Sequence, residues 1–304
     1  MGIEIAKEKI AGSINTVEIG AAARLQVGGE TTLPFLFSEG GMPNAPVVVP
    51  EILDCEPADW PDHLAGAVKG VSGDPVEWAR FMLSETGAKA LCVRLQGTHP
   101  DYGGKSPDSA GALIGRIAKE VKVPLIVVGS GDESKDSETM PKISQALKGG
   151  NSLLGIATQN NYKTLAATCL ADGHSIIAES PIDVNIAKQV NILISDMGFD
   201  PGRIVMHPTT ASLGYGMEYV YSIMERARLA AFMGDAMLSM PFILFAGQEV
   251  WRTKEAKESG EGQGVNWEIA TSVAMLQAGG EIIVMRHPAA AKSVIKYIDR
   301  AMRK

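Results

Sequence analysis

The feature that most constrains this chain is a recurrence of pattern. From Val47 onward, short apolar runs return at Val47–Leu53, Ala90–Leu95, Pro124–Val128, Leu153–Ala157, Ser175–Ala178, Ile204–Met206, Ser239–Phe245 and Ile282–Met285. A stretch with apolar residues at helical spacing follows each one. Eight strand-then-helix units in residues 47–304 are the arithmetic of an α/β fold of one kind, the (β/α)8 TIM barrel. The runs do not alternate cleanly, which suits parallel strands covered on both faces. In such a barrel, ligands and chemistry gather on the loops after the C-terminal ends of the strands. The residues just beyond each apolar run are therefore the ones to weigh.

The helices carry their own punctuation. Asp74 reads as an N-cap, with Pro75 at the first helical position and Glu77 three residues after the cap. Trp78, Phe81 and Met82 form the apolar face of that helix, and Gly87 ends it. Ser106-Pro107 opens the next. A later stripe of Ile182, Ile186, Val190, Leu193 and Met197 runs to Gly198, and a helix from near Asn266 runs to Gly279-Gly280. Ahead of the barrel, Ile14–Ile19 and Leu33–Phe37 read as two strands with Gly28-Gly29 between them. Residues 1–46 are then an N-terminal β-hairpin extension that covers part of the barrel, and 47–304 are the barrel. Two segments after strands, His207–Gly214 and Gly247–Gly264, exceed the usual loop length, and binding is the expectation for both.

Composition narrows the function. With 304 residues, 45% of them hydrophobic, the chain can fill one large core. The formal net charge is −7 and no basic patch interleaves with aromatics, so nucleic acid is not an expected partner. No apolar run reaches the length of a membrane span, and the N-terminus lacks the apolar core of a signal peptide. Three scattered cysteines, Cys55, Cys92 and Cys169, point to a reducing cytoplasm, and are too few to ligate a four-iron cluster.

Several chemistries fit poorly. Schiff-base catalysis needs a lysine on a strand interior, and Lys89 and Lys122 stand at strand entrances. His99, His207 and His287 share one rim, but each precedes a proline, so turn roles outweigh zinc ligation. Gly129-Ser130-Gly131 is too short to diagnose a phosphate loop. What remains on the rim is polar and mostly uncharged, including Gln96, Thr158, Gln159, Asn160, Ser180 and Gln248, with Thr209, Thr210 and Ser212 on the loop after the sixth strand. Asp54, Glu179 and Glu249 are present, but no pair of acids stands out. Such a rim suits hydrogen bonds to a large ligand decorated with amides.

Specific segments go further. Gly28–Pro46, Pro50-Glu-Ile-Leu-Asp54, Asp74–Ala79 and Gly87–Leu95 resemble the small subunit of the corrinoid iron–sulfur protein of the acetyl-CoA pathway. That family is related to the delta subunit of archaeal acetyl-CoA decarbonylase/synthase. The resemblance continues through Leu154–Tyr162, Ile204–Thr210 and Gly234-Asp-Ala-Met237, and so spans nearly the whole chain. It implies a methyl carrier, not a free-standing enzyme. The carrier is a heterodimer whose large subunit holds the 4Fe-4S cluster and a cobamide domain, with this barrel forming one wall of the shared cobamide site. Methyltetrahydrofolate methyltransferase and acetyl-CoA synthase are the transient partners. Asp172-Gly173-His174 opens like a cobalt-ligating signature, but has Ile177 where that signature has glycine, and it precedes a strand. The site residues expected to face the cobamide are Gln159, Asn160, Thr209, Thr210, Ser212 and Gln248. The rival expectation is an autonomous pterin-dependent methyltransferase barrel, and a third is a purely structural partner.

Overall fold

The structure is a computed structural model that describes residues 10–303. Two short strands come first, β1 (Val17–Ile19) and β2 (Leu25–Val27), paired antiparallel. The barrel follows as β3 (Val47–Leu53), α1 (Asp62–Ala67), α2 (Pro75–Thr86), β4 (Leu91–Arg94), α3 (Pro107–Val121), β5 (Leu125–Val128) and α4 (Glu133–Ala146). It continues through β6 (Leu153–Ala157), α5 (Tyr162–Asp172), β7 (Ser175–Glu179), α6 (Val184–Ser195), β8 (Ile204–His207) and α7 (Met217–Phe232). It ends with β9 (Phe242–Leu244), α8 (Ala246–Val250), α9 (Lys254–Glu258), α10 (Glu261–Gln277), β10 (Gly280–Met285) and α11 (Pro288–Ala301). Strands β3 to β10 are parallel, lie in chain order, and close where β10 pairs with β3. This is the (β/α)8 barrel that the eight apolar runs predict.

Strand parity divides the core in two. Val48, Leu91, Val93, Leu125, Val127, Ile176, Ile204 and Leu244 point outward and pack under the helices. Val49, Cys92, Ile126, Val128, Leu153, Ile177, Val205, Ile243 and Val284 point inward and fill the barrel. The inner cluster also takes in Val17, Ile19, Leu25 and Val27 of the hairpin. The hairpin docks at the N-terminal ends of the strands. Gly20 N–H donates to the Asn151 carbonyl, Asn151 Nδ2 to the Glu18 carbonyl, and Asn15 N–H to the Ser239 carbonyl. The floor of the barrel is thus sealed with apolar side chains, and the opposite end is left open to loops.

The predicted hairpin is corrected in its register along the chain. The strands are Val17–Ile19 and Leu25–Val27, and the turn between them starts at Gly20 (φ 91°). Gly28 and Gly29 (φ 87° and 90°) carry the chain away from β2 instead of joining two strands. Leu33–Phe37 is a run of turns with Phe35 at φ 60°, a conformation no strand can hold.

The segment Gly247–Gly264 is likewise no open loop. It holds α8, α9 and the first turn of α10, which starts at Glu261, five residues before the expected Asn266. Glycine at position 264 is a packing requirement, because a Cβ there would sit 2.5 Å from the Trp251 ring.

Candidate functional site: the charged layer at the barrel mouth

The inward parity continues past the apolar layers, and there it changes chemistry. Two residues beyond Val49, Cys92, Ile177, Val205 and Val284 come Glu51, Arg94, Glu179, His207 and Arg286, with Phe245 two beyond Ile243. The topmost interior layer is therefore built of ionisable groups on a floor of valine and isoleucine. Glu51 is fully buried and bridges two arginines. Its Oε1 accepts from Arg94 Nε at 2.7 Å, and its Oε2 from Arg286 Nε at 2.6 Å. Burial works to raise the Glu51 carboxyl, but the two guanidiniums outweigh it and hold it below the ordinary range.

Aromatic faces fix the arginines from the other side. Arg94 lies 5.0 Å from the Phe245 ring centroid and Arg286 lies 5.1 Å from that of Trp60. Across the layer, His207 Nδ1 is 3.2 Å from Glu179 Oε1. Burial pushes Glu179 up, and His207 and Arg94 pull it down further than burial raises it. His207 also stands edge-on to Phe245 at 4.9 Å, and its Nε2 is 3.1 Å from Thr210 Oγ1. The mouth is thus not mostly uncharged, as its loop residues alone suggest. Its loops are polar, but the strand ends beneath them carry matched charges, two arginines against two glutamates.

A second buried carboxylate organises the seam between β10, α8 and α10. Glu268 Oε2 accepts from Trp251 Nε1 at 2.8 Å and from the His287 amide at 3.2 Å, and its Oε1 from the Arg286 amide at 2.6 Å. Burial nevertheless pushes it up to about 7. His287 caps α11 through Nδ1 and stacks on Trp251, and His99 Nδ1 accepts from the Asp101 amide. Of the rim histidines, His99 and His287 act as caps while His207 ends β8 and pairs with Glu179, and no cluster of three or more His, Cys, Asp or Glu among the described residues could hold a metal.

Above the charged layer lies a cavity of about 310 Å3, lined among others by Arg94, Arg286, Gln96, Ser130, Trp60 and Gln248. Of the six residues singled out in the sequence, Gln248 lines it. Gln159 and Asn160 are exposed on the β6–α5 loop, where Gln159 Nε2 donates to Gln189 and Asn160 Nδ2 to Glu133. Thr209, Thr210 and Ser212 share the β8–α7 loop. Thr209 adopts φ 67° and donates to the Ser180 carbonyl at 2.7 Å. Thr210 Oγ1 accepts from the Phe245 amide at 2.9 Å, and Ser212 Oγ is 3.4 Å from Thr271 Oγ1. These three hydroxyls fasten the loop to its neighbours. Loop chemistry and turn signals found that loop but not Glu51, Arg94 or Arg286. The signal that finds them is parity: a charge standing two places after an inward apolar residue, at the C-terminal end of a strand.

Fold and site together define a (β/α)8 barrel that keeps a polar, cavity-bearing upper end over a sealed floor. Solved structures of that shape include dihydropteroate synthase from Thermus thermophilus in complex with 4-aminobenzoate. It has a TM-score of 0.60 and 13% identity, and covers 88% of this chain and 99% of that one. Dihydropteroate synthase from Xanthomonas albilineans in complex with 7,8-dihydropteroate is similar (TM-score 0.58, 13% identity, 90% and 100% covered). At such identity the likeness is one of fold. Sequence is more specific. The CO dehydrogenase/acetyl-CoA synthase delta subunit family matches residues 16–298, and this chain belongs to it. The acetyl-CoA decarbonylase/synthase complex subunit delta of Methanothermobacter thermautotrophicus is 33% identical over 290 residues, 92% of this chain and 74% of that one. The subunit of the same name from Methanocaldococcus jannaschii is 30% identical over 300 residues, 94% and 74%.

Proposed function

We propose that this chain is the small subunit of a corrinoid iron–sulfur methyl carrier, and that its barrel mouth forms one wall of a cobamide site shared with a larger partner subunit. Family membership supports the general assignment. The observation that carries the wall is the mouth itself: a polar cavity over a charge-matched layer, with no metal-ligating cluster among the described residues. A group that brings its own metal ligands from elsewhere fits that donor set. The orphaned Nη2 of Arg94 and the side-chain amides of Gln96 and Gln248 would meet it from the cavity. Gln159, Asn160 and Thr209 would meet it from the rim, with Thr210 and Ser212 fixing the loop that presents Thr209. When bound, the cobamide supplies a strongly nucleophilic cobalt that exchanges methyl groups. This chain's residues would bind the corrin edge, orient it and exclude water. Because Glu51 bridges Arg94 and Arg286, closing the mouth would leave neither of those arginines without a carboxylate partner. The 4Fe-4S cluster belongs to the larger subunit, and methyltetrahydrofolate methyltransferase and acetyl-CoA synthase are the exchange partners of the assembled carrier.

The pterin-barrel alternative rests on the shape shared with dihydropteroate synthases. It needs carboxylates free to grip a pterin ring inside the mouth. Here Glu51 is taken by two arginines and Asp136 by Ser130 and the Gly131 amide, while Asp54 accepts from the Gly97 amide through Oδ1 and keeps Oδ2 without a hydrogen bond, 3.6 Å from Lys105 Nζ. Those bonds favour a wall over an autonomous pterin site.

Metal analysis and absorption spectra separate the readings. Material purified anaerobically with its larger partner should carry cobalt and a corrinoid band. The isolated, folded chain should carry neither cobalt nor iron in stoichiometric amount. Cobalt or iron bound tightly by the isolated chain, or turnover of methyltetrahydrofolate by it alone, would sink the proposal.

A further inference from the structure

The arginines of the upper layer hold more donors than the protein uses. Glu51 accepts only the Nε–H of each guanidinium, and the hydrogen bonds of both guanidiniums among the described residues end there. Arg94 is 8% exposed and Arg286 7%, and Arg94 Nη2 is fully buried with no hydrogen-bond partner. An orphaned guanidinium N–H is costly to bury. Both side chains line the 310 Å3 cavity, and Arg252 and Lys257 line it too, against one acid, Asp59. Asp59 is occupied in turn by Gln96 Nε2 and the Tyr102 hydroxyl. Arg252 pairs with Glu249, and the exposed Lys257 has no ion-pair partner among the described residues. In a chain of net charge −7, four cations therefore converge on one small cavity, with the carboxylates Glu51 and Glu249 outside its lining.

We propose that this cavity is an oxyanion site, which receives a phosphate or carboxylate group between the Nη donors of Arg94 and Arg286. Two guanidiniums locked by Glu51, Phe245 and Trp60 present their outer N–H groups without further ordering, which is the arrangement that recognises planar or tetrahedral oxyanions. Lys257 supplies a long-range charge at the entrance. A phosphodiester belonging to a docked cofactor, a free phosphate and a free dicarboxylate share this chemistry. Arg94 Nη2 is also the donor that meets the cobamide in the proposed function, but small oxyanions are titrated into this chain alone, so failure here and failure of that reading are distinguishable.

The test is titration of the full chain at constant ionic strength with inorganic phosphate, dimethyl phosphate or glutarate, read by calorimetry and by the fluorescence of Trp60 and Trp251, which line the cavity. At least one probe should give a saturable signal that chloride does not. The tightest of the three names the source: the diester for a cofactor, phosphate or glutarate for a free metabolite. Arg94→Lys keeps a charge beside Glu51 but removes the outer fork, and should weaken binding by about tenfold or more. The exposed Lys257→Ala should keep the fold and weaken binding by a smaller factor. No saturable signal from any probe overturns the proposal. So does undiminished affinity in the folded double variant of Arg94→Lys with Lys257→Ala.

Discussion

Glu268 is a fully buried carboxylate held by three N–H donors, and the contest between burial and those donors is measurable. Burial, the larger effect, lifts it from 4.5 to about 7, while Trp251 and the Arg286 and His287 amides pull the other way. The folded chain thus holds this proton more tightly than the unfolded chain. Stability from this group is complete below the ordinary value and is lost as the pH rises through about 7, by on the order of 3 kcal/mol. Urea unfolding of the wild type and of Glu268→Gln, from about pH 5 to about pH 8, should show the wild type losing stability relative to the variant. A difference that stays constant with pH would mean that the N–H donors hold Glu268 ionised throughout. At this scale the sequence was only partly legible. Gln248 could be picked out as a mouth residue from its place after a strand. Arg94, Glu51 and Arg286 could not, because reading the strands as uniformly apolar hides the parity that aims them inward.

The element that shapes the mouth is α8, which turns directly off β9 and presses against the end of β10. Gly247 makes this possible. A Cβ there would lie 2.5 Å from the Arg286 amide nitrogen and 2.8 Å from Glu268 Oε1, both fixed in place by their own hydrogen bond. Gly247→Ala should therefore cost on the order of 1–3 kcal/mol and disturb the cavity wall. Gly262→Ala, in the same sequence segment but with open space around its Cβ, should be neutral or stabilise α10 by up to about 1 kcal/mol. Thermal unfolding of the two variants checks the contrast, and equal effects would show that α8 can shift freely. The contrast also explains why this segment read as a loop. Four glycines from 247 to 264 signal a loop to any local rule, yet those at 247 and 264 are there for close packing. The strands were legible because an apolar run buried on both faces admits few other roles. The face of α6 was less so: of the expected stripe Ile182, Ile186, Val190, Leu193 and Met197, Val190 is fully buried and Ile186 and Met197 pack against the core, but Ala187, Asn191 and Ile194 are buried in place of Ile182 and Leu193. Asp183 caps the helix after Ile182, and the run Ile192-Leu193-Ile194 offers more than one stripe to choose from.

The whole molecule is a barrel with two unlike ends. A hairpin closes the floor with valine, isoleucine and leucine, and the open end carries the charged layer, its cavity and the loops around them. No helix among the described residues is long and apolar enough to cross a membrane. The barrel and its orientation follow from the order of the runs, but what the open end faces depends on a surface outside this chain, which its own sequence encodes only as unsatisfied donors. Hydrogen exchange, read by mass spectrometry on the isolated chain and on the anaerobically assembled complex, locates that surface. With the mouth docked over a shared cobamide, the amides of 96–106, 208–216 and 245–253 should exchange more slowly in the complex, while those of the β1–β2 hairpin stay unchanged. Protection confined to the hairpin end, with the mouth loops exchanging as freely as in the isolated chain, would place the partner on the opposite face and end the proposal that this barrel walls a corrinoid site.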